Sequence, residues 1–338
     1  MSYLVGQWGT GPAGRSSLEA LLGHPDLELA GVVTVDPRHA GVDAAELAGS
    51  GRSAGVRATE DPAPLLARRP HVVCHTASRS RDVAGEICRI LESGTGVVSD
   101  VLPSLVHPPS ADRALLRRLR SACATGGAAC LTLGHSPAND VLPLLLSGCC
   151  LRVHGVKVTR FTCRDDPEAG ARLGFGGPLG HRPRIVRPGG PGRAWGPVVR
   201  LLAEHLAVPL DEVSETYELC PAPEDIGSVA KGTLAGLRFQ VSGVLRGRPV
   251  ITVEHVARLR ADIAPHWPAP PPGGTGGHRV EIDGEPPWRM DLAGPGAADP
   301  AASTALRMVS AVPAVAEAPP GLHTPLTLPP FTGRRRLR

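Results

Sequence analysis

The chain has 338 residues, of which 42% are hydrophobic, 20% charged and only 3% aromatic, with a formal net charge of +4. That length predicts about two domains with cores of Leu, Val and Ala. No apolar run reaches the ~18 residues of a membrane span. Lys157 and Lys231 are the only lysines, and the arginines are not interleaved with aromatics in any nucleic-acid module, which argues against a nucleic-acid partner. The first residues lack the basic region, apolar core and cleavage site of a signal peptide, so a cytoplasmic protein without membrane association is expected. None of the eight cysteines forms a C-x-x-C pair. Cys74, Cys123, Cys130 and Cys149 stand in apolar surroundings and read as small core residues, and no metal is expected.

In chain order, residues 3–8 are an apolar run long enough for one buried strand. The chain then turns through Gly9-x-Gly11-x-x-Gly14 into an amphipathic helix with Leu18, Leu21 and Leu22 on one face. Gly9 permits the tight turn, Gly11 lets a pyrophosphate approach the backbone, and Gly14 lets the helix lie close on the sheet. The free N–H groups and the dipole of that helix favour an anion, and Pro12 suits the first turn because its missing N–H has no partner to lose. Residues 27–35 form a second apolar strand, which completes a βαβ unit. Gly9, Thr10, Gly11, Pro12, Ala13 and Gly14 are therefore the expected dinucleotide cradle.

Asp36-Pro37-Arg38-His39 follows the second strand, where the adenosine ribose is read. An acidic group there accepts from a 2′-OH and favours NAD, whereas Arg38 and His39 suit a 2′-phosphate and NADP. Both cofactors are expected, with a lean toward NADP, and Asp36 is equally suited to capping a turn. One short helix is expected near residues 62–68. Residues 71–77 are a buried strand whose end, Thr76-Ala77-Ser78, is expected to pass over the cofactor. A helix over 81–93, a strand over 96–100, a helix over 111–124 and a strand over 128–134 continue the alternation. This predicts an α/β fold, a Rossmann-type doubly wound parallel sheet.

After about residue 150 the pattern changes. Residues 151–162 alternate as a long strand, with Lys157 read as solvated. A Gly/Pro/Arg-rich stretch and a helix over 195–206 follow. Strands are expected at 214–219, 232–246 and 248–260, and a final hairpin at 279–292. This predicts an α+β substrate domain with an open, mostly antiparallel sheet. Glu254 and His255 fall on opposite faces of their strand, with His255 the candidate substrate contact. Residues 301–316 read as an Ala-rich helix stopped at residues 319–322. The expected division is a dinucleotide-binding domain over 1–137, a substrate domain over 138–300, a C-terminal helix and extension over 301–330, and a basic tail over 331–338.

Several segments together resemble the dihydrodipicolinate-reductase-like superfamily, and most of all the 2,4-diaminopentanoate dehydrogenases and native NAD(P)H-dependent amine dehydrogenases. They are Gln7-Trp8-Gly9-Thr10-Gly11-Pro12-Ala13-Gly14, His24-Pro25-Asp26-Leu27, Ala138-Asn139-Asp140-Val141-Leu142-Pro143, Gly174-Phe175-Gly176, Gly232-Thr233-Leu234-Ala235-Gly236-Leu237, Glu254-His255, Arg279-Val280-Glu281-Ile282-Asp283-Gly284-Glu285-Pro286 and Ala311-Val312-Pro313. The resemblance implies that the domain over 138–300 also serves dimerisation, that the segment over 301–330 returns to the first domain, and that a homodimer carries out NAD(P)H-dependent reduction of a C=N bond, or its reverse, amine oxidation, on a small molecule. Two departures stand out. The catalytic glutamate of the amine dehydrogenases, expected soon after residues 96–99, is missing from Ser99-Asp100-Val101-Leu102-Pro103, which leaves Asp100 as substitute or as a capping residue. The loop before Ala138 is about two residues short and carries His135, a candidate proton donor. Asn139 is a candidate cofactor contact, and Asn139 or Asp140 a candidate helix cap. The alternatives are reduction of another C=N or C=C bond in a biosynthetic pathway, and a cofactor-binding homologue without catalysis.

Overall fold

The run Tyr3–Trp8 forms a strand, β1, and every later element of the first half is placed around it. The structure, a computed structural model, describes residues 2–333 apart from residues 52, 135, 164–169, 172, 273–275 and 295–298. The elements that follow β1 are α1 (Pro12–Leu22), β2 (Leu27–Val33), α2 (Ala44–Leu47), β3 (Ala58–Thr59), α3 (Ala63–Ala67), β4 (Val72–His75), α4 (Val83–Glu92), β5 (Gly96–Ser99), α5 (Arg113–Gly126), β6 (Ala129–Thr132) and α6 (Val141–Ser147). Then come β7 (Arg152–Cys163), α7 (Gly190–His205), β8 (Glu212–Pro221), β9 (Leu234–Leu245), β10 (Arg248–Arg258), β11 (Gly276–Glu285), β12 (Trp288–Leu292), α8 (Pro300–Ala316) and β13 (Gly321–His323). The chain divides into two units, Met1–His135 with Pro300–Arg338, and Ser136–Asp299.

The first unit is a seven-stranded parallel sheet in the order β13-β6-β5-β4-β1-β2-β3. The order reverses between β1 and β4, the switch point where such sheets bind ligands. Alternation along each strand feeds two cores. Val5, Cys74, Val98 and Leu131 pack with Leu18 and Leu21 of α1 and with Met308 and Val312 of α8. Trp8, Val33, Val73, Val97 and Cys130 pack on the other face with Ile87 and Leu91 of α4 and Leu119 of α5. Each fully buried Leu or Ile contributes roughly 1.5–3 kcal/mol. Asp82 and Asp112 cap α4 and α5 by accepting from backbone N–H groups, and Gly127 at φ +64° ends α5.

Three expectations need correction here. The helix expected near residues 62–68 forms as α3, but the stretch before it also holds a second helix, α2, and the short strand β3. The segment read as a terminal stop goes on to become β13, whose Gly321 pairs with Ala129 of β6. Three residues are too few to show a period, so only their pairing reveals them. Cys149 is exposed rather than a core residue, because it follows the short helix α6 in a surface turn, whereas Cys74, Cys88, Cys123 and Cys130 are buried.

The second unit is a mixed six-stranded sheet in the order β12-β11-β7-β10-β9-β8. Its neighbours are antiparallel except β7 and β10, which run parallel. Helix α7 packs on one face, with Trp195 against Phe239 and His255. The other face carries Glu254, fully buried, whose carboxylate takes hydrogen bonds or ion pairs from Thr159, Lys157, Arg238 and Gln240 at 2.7–2.9 Å. Burial alone would raise its pKa, but Lys157, Gln240 and Arg238 outweigh that and leave it lowered. Lys157 is thus an ion-pair partner and not simply a solvated side chain.

Candidate functional site

The turn after β1 is built from backbone. Gly9 has φ +105°, and a Cβ there would meet Ala77 N and the Thr76 side chain at 2.8 Å. A Cβ on Gly14 would lie 2.0 Å from Gly9 O, so α1 can rest on the turn only with glycine at this position. Among the described residues nothing lies within 4 Å of a Cβ on Gly11, and that open space lies at the N-terminus of α1. No side chain caps this helix and no acidic residue sits in its first turn, so its first N–H groups and positive dipole end remain available to an anion. The cavity here, about 600 Å³, is lined by Gly9 to Pro12, Asp36, Arg38, His39, Thr76 and Ala77. An open space over Gly11 beside free helix N–H donors is what a dinucleotide pyrophosphate requires, so the residues fit the cofactor. Ala13, in the first turn of α1, supplies backbone to the same end.

A directed chain of hydrogen bonds supports the turn. Arg15 can only donate, so His39 accepts at Nε2 (3.1 Å) and donates from Nδ1 to Thr10 Oγ1 (2.7 Å). The Thr10 hydroxyl is then free to donate to Thr34 Oγ1 (2.7 Å), and Thr34 donates to Asp36 O (3.2 Å). Beneath the turn, Gln7 Nε2 donates to Gly9 O (2.9 Å) and Thr76 Oγ1 (3.0 Å). Asp36 takes up the capping role by accepting from Arg38 N at 3.1 Å. Its carboxylate also binds the Arg38 guanidinium in a fork at 3.0 and 2.7 Å. That side-chain contact holds the Asp36 carboxyl well below the usual carboxylate range.

Asp100 follows the end of β5 and caps no helix. Its Oδ1 is enclosed and has no hydrogen-bond partner among the described residues. Burial pushes its pKa up to about 6, and the neighbouring His75 acts in the opposite direction. His75 is itself fully buried, with Nε2 2.9 Å from Glu86 Oε2, and Ser80 donates to the other oxygen of Glu86 at 2.7 Å. His135 lies outside the described residues.

Two expected site residues belong to the second unit. Asn139 is buried, and its Oδ1 has no partner among the described residues. The helix cap beside it is Asp140, which accepts from Val141 N at 2.5 Å. His255 is 8% exposed, stacked on Phe239 at 4.6 Å and edge-on to Trp195 at 4.5 Å.

The sequence pattern places Ser78 over the cofactor but does not single out Gln7, Arg15 or Arg79. Arg15, Ser78 and Arg79 line the cofactor cavity, and Gln7 braces its floor. Arg15 had a signal, since it stands one residue past Gly14 in the first turn of a helix with no acidic residue there.

No family model matches the chain. An amine dehydrogenase of Streptomyces virginiae is 35% identical over 348 residues, which cover 97% of this chain and 97% of that protein. Among solved structures, an amine dehydrogenase from Mycobacterium smegmatis matches with a TM-score of 0.78 at 20% identity, over 99% of this chain and 98% of that one. A probable dehydrogenase from Thermotoga maritima matches at 0.59 with 14% identity over 95% and 91%. GenD2 from gentamicin A biosynthesis, solved with NAD, matches at 0.53 with 17% identity over 96% and 90%. The structural likenesses show the shared fold. The narrower likeness to 2,4-diaminopentanoate dehydrogenase, and to the dihydrodipicolinate-reductase-like superfamily, rests on the sequence segments alone. The end-to-end relationship to the Streptomyces protein establishes that the chain belongs to the amine dehydrogenase family.

Proposed function

We propose that the protein is an NAD(P)H-dependent oxidoreductase that interconverts an amine and its imine or carbonyl counterpart on a small molecule, and that it works as a homodimer. The observation that carries this reading is the 35% identity to an amine dehydrogenase over 97% of both chains. The glycine turn supports it physically, since its open space and uncapped helix start suit a dinucleotide. The backbone from Thr10 to Ala13 would hold the pyrophosphate, and Asp36, Arg38 and His39 would face the adenosine ribose, with a lean toward NADP.

The bound nicotinamide supplies or takes the hydride, and the chain must manage charge and a proton at the substrate nitrogen. Asp100 suits that task. A carboxyl titrating at about 6 holds its proton in mild acid and releases it near neutrality, so Asp100 can pass a proton to or from an amine nitrogen. When ionised, it stabilises an adjacent iminium or ammonium. His135 is proposed as its partner. The test follows NADPH and NADH oxidation with small aldehydes and ketones in the presence of ammonia. Turnover that requires both carbonyl and ammonia is the expected result. Turnover without ammonia would point to another double bond, and none with any carbonyl would count against an amine dehydrogenase.

A further inference from the structure

The carboxyl ends of the parallel strands carry a buried row of side chains that the proposed reaction does not use. Trp8 of β1 pairs with His75 of β4, His75 with Ser99 of β5, and Ser99 with Thr132 of β6. Side chains at paired positions of a parallel sheet point to the same face, so the four stand side by side, about 4.8 Å from strand to strand. Each carries a polar atom, and each is at most 2% exposed. Two residues back along the same strands, Gly6, Val73, Val97 and Cys130 pair in the same way and are small or apolar. A polar row over an apolar one is costly to bury unless its groups are used.

The row is best defined at His75, because the elements around it, β1, β4, β5 and α4, are described throughout. His75 Nε2 lies 2.9 Å from Glu86 Oε2, and Ser80 donates to Glu86 Oε1 at 2.7 Å. A carboxylate can only accept, so the neutral ring carries its proton on Nε2 and leaves Nδ1 as a bare acceptor. Nδ1 is enclosed and meets no partner among the described residues. Asp100 follows Ser99, the register partner of His75, and His75 bears on its charge. At the other end, the Glu86 side chain is 18% exposed and reaches a cavity of about 340 Å³. The charged groups around the pair are thus Asp100 on one side and, at the cavity, Glu60, Asp82, Arg89 and Arg118 on the other.

A structural brace between β4 and α4 would account for the bond to Glu86. It would leave Nδ1 unbonded in the core, where an apolar side chain of the same shape would be more stable. We infer that His75 is a positioning residue for Asp100: its bare Nδ1 takes up the Asp100 proton, and Glu86 holds the imidazolium that results. This rests on the reading of Asp100 as the group that handles the substrate proton. The step moves one proton and nothing else. Asp100 passes from carboxylic acid to carboxylate, His75 passes from imidazole to imidazolium, and the net charge of the trio does not change. The transfer runs directly or across one internal water. A buried carboxyl can thereby ionise beside an iminium or ammonium without sending its proton to solvent, and it recovers the proton from Nδ1 when the substrate nitrogen needs one.

The test joins ring ¹⁵N spectra of the full chain with the pH profile of amine oxidation, which needs Asp100 ionised. The His75 ring signals are expected to respond as Asp100 titrates at about pH 6, and Asp100→Asn should abolish that response. His75→Gln keeps a donor toward Glu86 and removes the proton acceptor. It should move the acid limb of the profile up by about one pH unit, which is about a tenfold loss of turnover below pH 6, with cofactor affinity unchanged. Glu86→Gln should move it the same way by less, and the double variant should match His75→Gln, because the two act as a unit. A brace alone would lower the unfolding midpoint of both variants and leave the acid limb in place, and that result overturns the inference. So do His75 signals that ignore the titration of Asp100. A wild type that oxidises no amine counts against the proposed function, and the ring spectra, which need no substrate, then judge the pair by themselves. If His75→Gln fails to fold, Glu86→Gln and the wild-type spectra decide.

Discussion

The turn after β1 and the end of β5 belong to one parallel sheet, two strands apart, and are built in opposite ways. The turn is made of backbone, and its demands are steric. One glycine fills a contact of 2.0 Å, one adopts φ +105°, and one leaves space for a ligand. The end of β5 depends on a single carboxyl whose behaviour is set by what surrounds it. Steric demands are met by one residue type, so they show in the sequence as letters at fixed spacing. Electrostatic demands are met by an environment, which no spacing records.

The sharpest way to break this comparison is within the turn itself. Gly14→Val places a branched side chain against Gly9 O, where the backbone of both elements would have to move. A loss of about 4 kcal/mol or more, or failure to fold, is expected in urea unfolding. Gly11→Val meets nothing and sits at φ −70°, which any residue adopts. It should keep the wild-type unfolding midpoint and lose cofactor binding by at least about a hundredfold in a fluorescence titration. A variant that unfolds at Gly11, or one that tolerates valine at Gly14, would mean that the two glycines do not have these separate tasks.

Asp100 tests the other region. Its pKa in the folded protein, about 6, lies above the ordinary 3.8. Below 3.8 the group is protonated in both states and imposes no penalty. As pH rises from there through about 6, the unfolded chain ionises first, and folding loses stability until the penalty levels off. A shift of this size corresponds to roughly 2–3 kcal/mol. Asp100→Asn should therefore stabilise the protein at pH 8 and have little effect near pH 4. It should also cut turnover about a hundredfold with cofactor affinity unchanged, and remove an apparent pKa near 6 from the rate profile. Equal stability of wild type and variant at both pH values would show that Asp100 is not buried as described. Full turnover would remove it from the chemistry.

The same division explains how much was legible. Strand alternation and glycine spacing were enough for the parallel sheet, the tight glycine turn after β1 and the mostly antiparallel second sheet, because each element carries its own period or spacing. β13 was hidden because three residues have no period and gain a partner only from β6. The ion pair of Lys157 with Glu254 joins residues almost a hundred positions apart and follows only from the parallel pairing of β7 with β10. The stacking of His255 on Phe239 was hidden for a related reason, since Phe239 faces it across the antiparallel ladder of β9 and β10. Asp100 was legible as a carboxylate at a strand end, whereas its orphaned oxygen and raised pKa were not.

The smallest expected effect lies where the two kinds of site meet, at Asp36 and Arg38. The Arg38 side chain is 81% exposed and, among the described residues, is held only by Asp36. In water such a pair is readily exchanged for another anion. A 2′-phosphate, with more charge and more oxygens than one carboxylate, would draw the guanidinium away from Asp36. Without a 2′-phosphate, the pair stays closed and Asp36 offers a neutralised carboxylate to the ribose hydroxyls. Arg38→Ala should therefore weaken NADPH about tenfold and leave NADH unchanged or slightly tighter, since the freed Asp36 can then accept from the 2′-OH. Raising the salt concentration should narrow the NADPH advantage in the wild type but not in the variant, because screening acts on the charge that was removed. Equal losses for both cofactors would mean that Arg38 supports the turn of residues 37–39 and does not read the ribose, and the reading would then pass to Arg15 and His39, which are already joined at 3.1 Å.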